Sequence, residues 1–101
     1  MYELRIIKLK TLKDFWKKYP DSEIGLRAWY TDIEGKNWKH PNKIIPFFIN
    51  SDIVGNNRIV FNIEHNKYRL IVLFRYKIQL GYIRFIGTHK EYDKIKNIEN
   101  I

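Results

Sequence analysis

The sequence contains no cysteine, which rules out disulfides and thiolate metal sites. Methionine occurs once and proline three times, so the helix breakers are few and each marks a boundary. No apolar run approaches the roughly 18 residues that a membrane-crossing helix needs. The first residues also lack the apolar stretch of a secretory leader, so a cytoplasmic protein with no membrane association is expected. Acidic residues are scarce: 11 Asp and Glu stand against 19 Lys and Arg, a net charge of +8. Such a balance says little about fold but favours polyanionic partners: RNA, DNA, anionic membrane or an acidic protein.

Linkers, internal repeats and low-complexity blocks are missing as well, so residues 1–101 read as a single domain near the small end of what buries its own core. Hydrophobic residues make up 45% and aromatics 16%, enough apolar mass to argue against disorder. Tyr2 to Leu9 is apolar-rich and β-branched and predicts a first strand. Thr11, with Asp14 three positions on, predicts the cap of a helix that buries Leu12, Phe15, Trp16 and Tyr19 and exposes Lys13, Lys17 and Lys18. Pro20 stops it. A second helix should begin at Asp21 or Ser22 and end by Gly35, with Ile24, Leu26, Trp29, Tyr30 and Ile33 at roughly helical spacing. Residues 37–48, punctuated by Pro41 and Pro46, predict a loop with a short helical turn. Gly55-Asn56-Asn57 is a turn into a block of three strands. The fold class is therefore α+β: an N-terminal strand and two helices packed on a largely antiparallel sheet, then a short C-terminal helix.

The block from Asn56 to Ile95 sets arginines among its apolar positions, and an unpaired cation is costly to bury. With two-residue hairpin loops at His65-Asn66 and Ile78-Gln79, strand alternation sorts the residues into two faces. The first hairpin pairs Asn62 with Arg69, Val60 with Ile71 and Arg58 with Leu73. The second pairs Arg75 with Tyr82, Leu73 with Arg84 and Ile71 with Ile86. One face collects Ile59, Phe61, Ile63, Tyr68, Leu70, Val72, Phe74, Ile83 and Phe85. The other collects Arg58, Asn62, Lys67, Arg69, Arg75, Tyr82 and Arg84 among Val60, Ile71, Leu73 and Ile86. Arg58, Arg69 and Arg84 then lie on three neighbouring strands, a guanidinium surface suited to two-point phosphate contacts.

Gly87 permits a sharp exit from the last strand, and Thr88 can cap the terminal helix. His89, Tyr92 and Asp93 share one helical surface there. Imidazole moves protons near neutral pH, and a phenol or carboxylate can assist or orient it. Metal-independent RNA cleavage needs a base for the 2′-OH, a cationic clamp for the phosphorane and an acid for the 5′-oxygen. His89, Arg84, Arg69 and Tyr92 are the candidates for that chemistry, with Asp93 orienting His89. Arg58, Lys67, Arg75 and Asn62 are candidates for RNA contact. His40 and His65 stand in loops with no second ligand nearby, so neither a metal nor another cofactor is expected.

In combination, Gly55-Asn56-Asn57-Arg58-Ile59-Val60-Phe61-Asn62-Ile63, Asn66-Lys67-Tyr68-Arg69-Leu70, Tyr82-Ile83-Arg84-Phe85 and Gly87-Thr88-His89-x-Glu91-Tyr92-Asp93-Lys94-Ile95 resemble the HigB-type toxins of bacterial type II toxin–antitoxin systems, in the RelE-like group of small mRNA endonucleases. Leu12-x-x-Phe15-Trp16, Tyr19-Pro20-Asp21, Leu26-x-Ala28-Trp29-Tyr30 and Trp38-x-x-Pro41 extend the resemblance over nearly the whole chain. It implies a RelE-like fold and a toxin that degrades mRNA, commonly on the translating ribosome. It also implies neutralisation by a helix-turn-helix HigA-type antitoxin, in a complex that can be a heterotetramer, and an RNA path over the sheet and C-terminal region.

Structural alternatives stand beside each role. Arg69 and Arg84 can pair Glu64, Glu91 or Asp93, and His89 can serve the helix cap. Tyr92 can tie the terminal helix to the sheet, and Lys67 can be a solvated turn residue. Trp16, Trp29 and Trp38 read as core. A non-catalytic nucleic-acid-binding module, or a protein-docking module using Val60, Ile71 and Leu73, are the rival functions.

Overall fold

Lys8 cuts the first strand short: its φ of 70° turns the chain out of the sheet and straight into a helix. In the computed structural model, which describes residues 3–101, β1 spans Arg5–Ile7 and α1 spans Leu9–Lys18. The helix therefore starts before Thr11, whose amide bonds the Lys8 carbonyl at 2.9 Å. The expected cap is corrected, because a left-handed Lys8 makes the turn that Thr11 was expected to make. Tyr2, expected in the strand, lies outside the described residues. Pro20 does end α1 and opens a 3-10 turn, Pro20–Ser22, before α2 (Glu23–Ile33). Pro41 begins α3 (Pro41–Ile44), which runs into the 3-10 turn Ile45–Phe47.

The sheet has the order β1-β5-β4-β3-β2, with β2 (Asp52–Val54), β3 (Arg58–Ile63), β4 (Tyr68–Arg75) and β5 (Leu80–Thr88) antiparallel in sequence. β1 joins parallel to β5. Gly81 allows that approach, since a Cβ there would meet Ile6 Cδ1 at 3.0 Å. Edge strand β2 was not expected from the sequence: three residues flanked by Asn50, Ser51 and the Gly55–Asn57 turn carry too little pattern. Asn56 and Asn57, at φ of 58° and 65°, make that turn; asparagine tolerates this region better than most residues.

The first hairpin has the expected register, Asn62 opposite Arg69, Val60 opposite Ile71 and Arg58 opposite Leu73. Its ladder ends at Ile63 opposite Tyr68, so the connection is Glu64–Lys67 and not the expected two residues; Glu64, His65 and Asn66 all have positive φ, at 51°, 50° and 70°, and Lys67 N bonds the Glu64 carbonyl at 2.9 Å. The second hairpin differs. Arg75 pairs with Leu80, not Tyr82, so the loop is Tyr76–Gln79. Gln79 explains this: it is buried, and its amide accepts from Trp38 N at 2.8 Å and donates to the Trp38 and Tyr76 carbonyls at 2.6 and 2.7 Å. A satisfied buried amide holds the loop in place of a tight turn.

Further along the same pair of strands lies a β-bulge. Val72 faces Ile83 but Ile71 faces Phe85, which leaves Arg84 unpaired on β5. The extra residue exchanges the faces of the residues beyond it. Phe85 lies on the face expected to be cationic, and Ile86 packs against the main core, the reverse of the expectation. That core, under α1, α2 and the Trp38 loop, contains Leu12, Leu26, Trp29, Trp38, Phe61, Leu70, Val72 and Phe74. Trp16 is only half-buried, with the Arg27 guanidinium 4.8 Å from its ring. Among the described residues no helix is long and apolar enough to cross a membrane.

Candidate functional site

The last helix, α4 (His89–Asp93), is fixed at its start by Thr88. The Thr88 hydroxyl accepts from Glu91 N at 3.2 Å, and Glu91 Oε1 accepts from Thr88 N at 2.8 Å. This capping box satisfies two of the orphan donors at the helix start. It also holds the Glu91 carboxyl below its ordinary pKa, chiefly through the Thr88 amide. Gly87 lets the cap close against β5. A Cβ at Gly87 would come within 2.5 Å of Phe85 Cζ and 2.8 Å of Glu91 Oε1. Gly87→Ala must therefore displace a ring and a capping carboxylate together, and should destabilise the fold by about 1–3 kcal/mol. A urea melt in which the variant matches the parent would refute that steric reading.

Once α4 is anchored, its side chains divide. His89 Nδ1 lies 2.9 Å from Asp93 Oδ2, and both side chains are exposed. With Nδ1 donating to that carboxylate, Nε2 is the nitrogen left to accept a proton. Tyr92 turns onto the sheet, where its ring meets Phe85 at 6.5 Å and the Arg69 guanidinium at 5.6 Å. Burial pushes the Tyr92 phenol above its ordinary pKa of 10, opposed by the Arg69 charge. At neutral pH the Tyr92 phenol is therefore protonated. Arg69 also donates to the Asn66 carbonyl at 2.8 Å.

The other candidates are spread more widely than a single guanidinium plane. Arg84 protrudes at the bulge, exposed, and makes no hydrogen bond or ion pair among the described residues. Arg75 is equally unpaired but sits at the far end of β4. Six residues from Arg69 at about 3.3 Å each put it on the order of 20 Å away. Arg58 is engaged: Nε and Nη2 donate to the Ile101 oxygen at 3.1 and 2.6 Å, and Nη1 donates to the Asn56 carbonyl at 2.8 Å. Asn56 in turn donates to the Glu99 carbonyl at 2.9 Å. The residues after α4 thus lie over this face of the sheet. Val60 and Ile71 are buried too, although they stand outside the main core cluster. Asn62 bonds the Asn50 carbonyl, and Lys67 pairs with Asp21.

Sequence reasoning missed a cleft of about 540 Å³ between the end of α1 and the start of α4. Its lining includes Lys18, Tyr19, Asp21, Lys67, Tyr68, His89 and Lys90. Nothing in the local pattern of α1 marks Lys18 as a neighbour of His89; only the helix-on-sheet packing joins them.

Residues 22–95 match the model of the HigB toxin family, the RelE-like toxic component of a toxin-antitoxin system. The chain belongs to that family. Among HigB proteins, the Escherichia coli K12 "mRNA interferase toxin HigB" is 33% identical over 92 residues, covering 89% of this chain and 88% of its own length. The "mRNA interferase HigB" of Shigella flexneri is equally similar, at 33% over the same coverage. A HigB from Escherichia coli O6:H1 is 24% identical over 94 residues, with 91% of each chain covered. The HigB match takes in the whole strand block and α4, including His89, Tyr92 and Asp93, and leaves β1 and α1 outside.

Proposed function

We propose that this chain is a metal-independent endoribonuclease toxin that cleaves mRNA, working on the ribosome and neutralised by a HigA-type antitoxin. The observation that carries the reading is the His89–Asp93 pair at the rim of a sheet face bearing Arg69, Tyr92 and the free Arg84. The mRNA interferase names of the HigB relatives support it.

In this reading His89 Nε2 takes the proton of a 2′-OH, whose oxygen attacks the adjacent phosphorus. Arg84 and Arg69 balance the charge that builds on the phosphorane oxygens. The P–O5′ bond then breaks, and the leaving oxygen takes a proton from Tyr92, which its burial keeps protonated. The products are a 2′,3′-cyclic phosphate and a 5′-hydroxyl. Asp93 holds the imidazole in the accepting tautomer, a positioning role. The ribosome presents the message, so a small acid–base set suffices.

Cleavage of a message during in vitro translation, with analysis of the new ends, tests this directly. Cyclic phosphate ends that persist in EDTA are expected, along with resistance of a 2′-deoxy linkage. Ends bearing 3′-hydroxyls, or activity abolished by EDTA, would sink the mechanism. Salt-dependent RNA binding with no scission would instead favour a non-catalytic binding module.

A further inference from the structure

Outside the sheet face, the cleft between α1 and α4 concentrates positive charge. Among the described residues Asp21 is the sole carboxylate in its lining, and it is already matched by the Lys67 ion pair and by the Tyr68 hydroxyl at 2.5 Å. Lys90 makes no hydrogen bond or ion pair among the described residues. The Lys18 ammonium lies over the Tyr19 ring, 5.5 Å from its centre, and its charge reaches the capping carboxylate of Glu91 without an ion pair. Two ammonium groups are thus left to face solvent over an aromatic wall. That wall is stiff, because Tyr19 and Tyr68 lie 5.5 Å apart and both pack on Phe15. The volume is within the range of small-ligand sites. His89 belongs to this cleft as well as to the α4 pair with Asp93.

We infer that the cleft is a second RNA subsite, in which Lys18 and Lys90 hold the backbone phosphates next to the scissile one and the Tyr19 side offers an apolar surface to sugar and base. The inference rests on the RNA-cleavage reading and extends it: the strand crosses α4, with the sheet face on one side of His89 and the cleft on the other. An acidic protein segment would satisfy the same charges, but RNA is favoured because the candidate base is shared between the cleft and the sheet-face site.

The experiment compares the parent, Lys18→Gln/Lys90→Gln and, as a charge control, Lys13→Gln/Lys43→Gln. All four lysines are exposed, so folding should be preserved in both variants. Binding of a single-stranded RNA carrying 2′-deoxy linkages is measured across a salt series. Each phosphate contact contributes about 0.7 to the slope of log K against log salt for a single strand, so the cleft variant should lose about 1.4 and the control nearly nothing. On translated message the cleft variant should raise KM and leave kcat near the parent value. Equal slopes in the two variants overturn the cleft subsite while leaving the cleavage reading intact. Loss of antitoxin binding with unchanged RNA binding overturns it too, in favour of an acidic protein segment. A parent that neither binds nor cuts RNA defeats both readings together.

Discussion

His89→Ala is expected to lower message cleavage by about 10²- to 10⁴-fold, the range that a positioned general base contributes. The side chain is exposed and, among the described residues, hydrogen-bonds only Asp93. The helix start beneath it is held by Thr88 and Glu91, so the loss should appear in rate and not in thermal stability. Asp93→Asn keeps a polar group of the same shape beside Nδ1 but removes the carboxylate that accepts from it. It leaves the imidazole itself in place and should therefore cost less than His89→Ala. Full toxicity of His89→Ala on induced expression would remove His89 from the chemistry. Tyr92 would then be the remaining side chain of α4 suited to proton transfer, and Tyr92→Phe the next variant to assay.

The largest effect on stability is expected at Phe61. It is 1% exposed at the centre of the core, with ring centroids of Trp29, Phe48 and Phe74 at 5.3, 5.1 and 6.3 Å. Phe61→Ala removes the ring those contacts share, and three separate segments of the chain meet there, so the site cannot close by moving one neighbour. A loss of about 3–5 kcal/mol is expected, a large fraction of the roughly 5–15 kcal/mol that holds a domain of ordinary stability. Urea unfolding in a His89→Ala background, which should allow safe expression, would show a lower midpoint at unchanged slope. Ile24→Ser, on an 82% exposed side chain of α2, serves as the contrast and should change the midpoint little. A Phe61→Ala midpoint equal to that of Ile24→Ser would show that the aromatic cluster is not the centre of the fold's stability.

What could be seen in the sequence was what local pattern dictates. Alternation through Arg58–Ile63 and Tyr68–Arg75, with His65-Asn66 between them, permits one register that keeps the apolar face together, and that register forms. Thr88 could be placed as the cap of the last helix, and His89 and Asp93 as neighbours, from local pattern alone, while the part Glu91 plays in that cap emerged only from the structure. The second hairpin was opaque because its geometry depends on Gln79 reaching Trp38, 41 residues away in sequence. The start of α1 was opaque because a left-handed lysine leaves no compositional mark. The same limit applies at the site. The engagement of Arg58 by Ile101, and the place of Lys18 and His89 in one cleft, are products of tertiary packing. Sorting arginines by face could not separate the engaged Arg58 from the free Arg84.

The bulge at Arg84 has a consequence for how such a strand tolerates change in length. A one-residue insertion or deletion in a regular central strand transposes inside and outside for everything beyond it. In β5 the transposition is already present and already accommodated: Ile83 and Ile86 both find the interior, while Phe85 supplies the ring against which Tyr92 rests. Deleting Arg84 would restore unbroken pairing from Leu80 to Thr88 without moving either isoleucine off its present partner, Val72 or Leu70. A length variant of this family at that position could thus keep its hydrophobic framework and surrender only an exposed guanidinium, so that fold and surface charge can be gained or lost separately, one codon at a time.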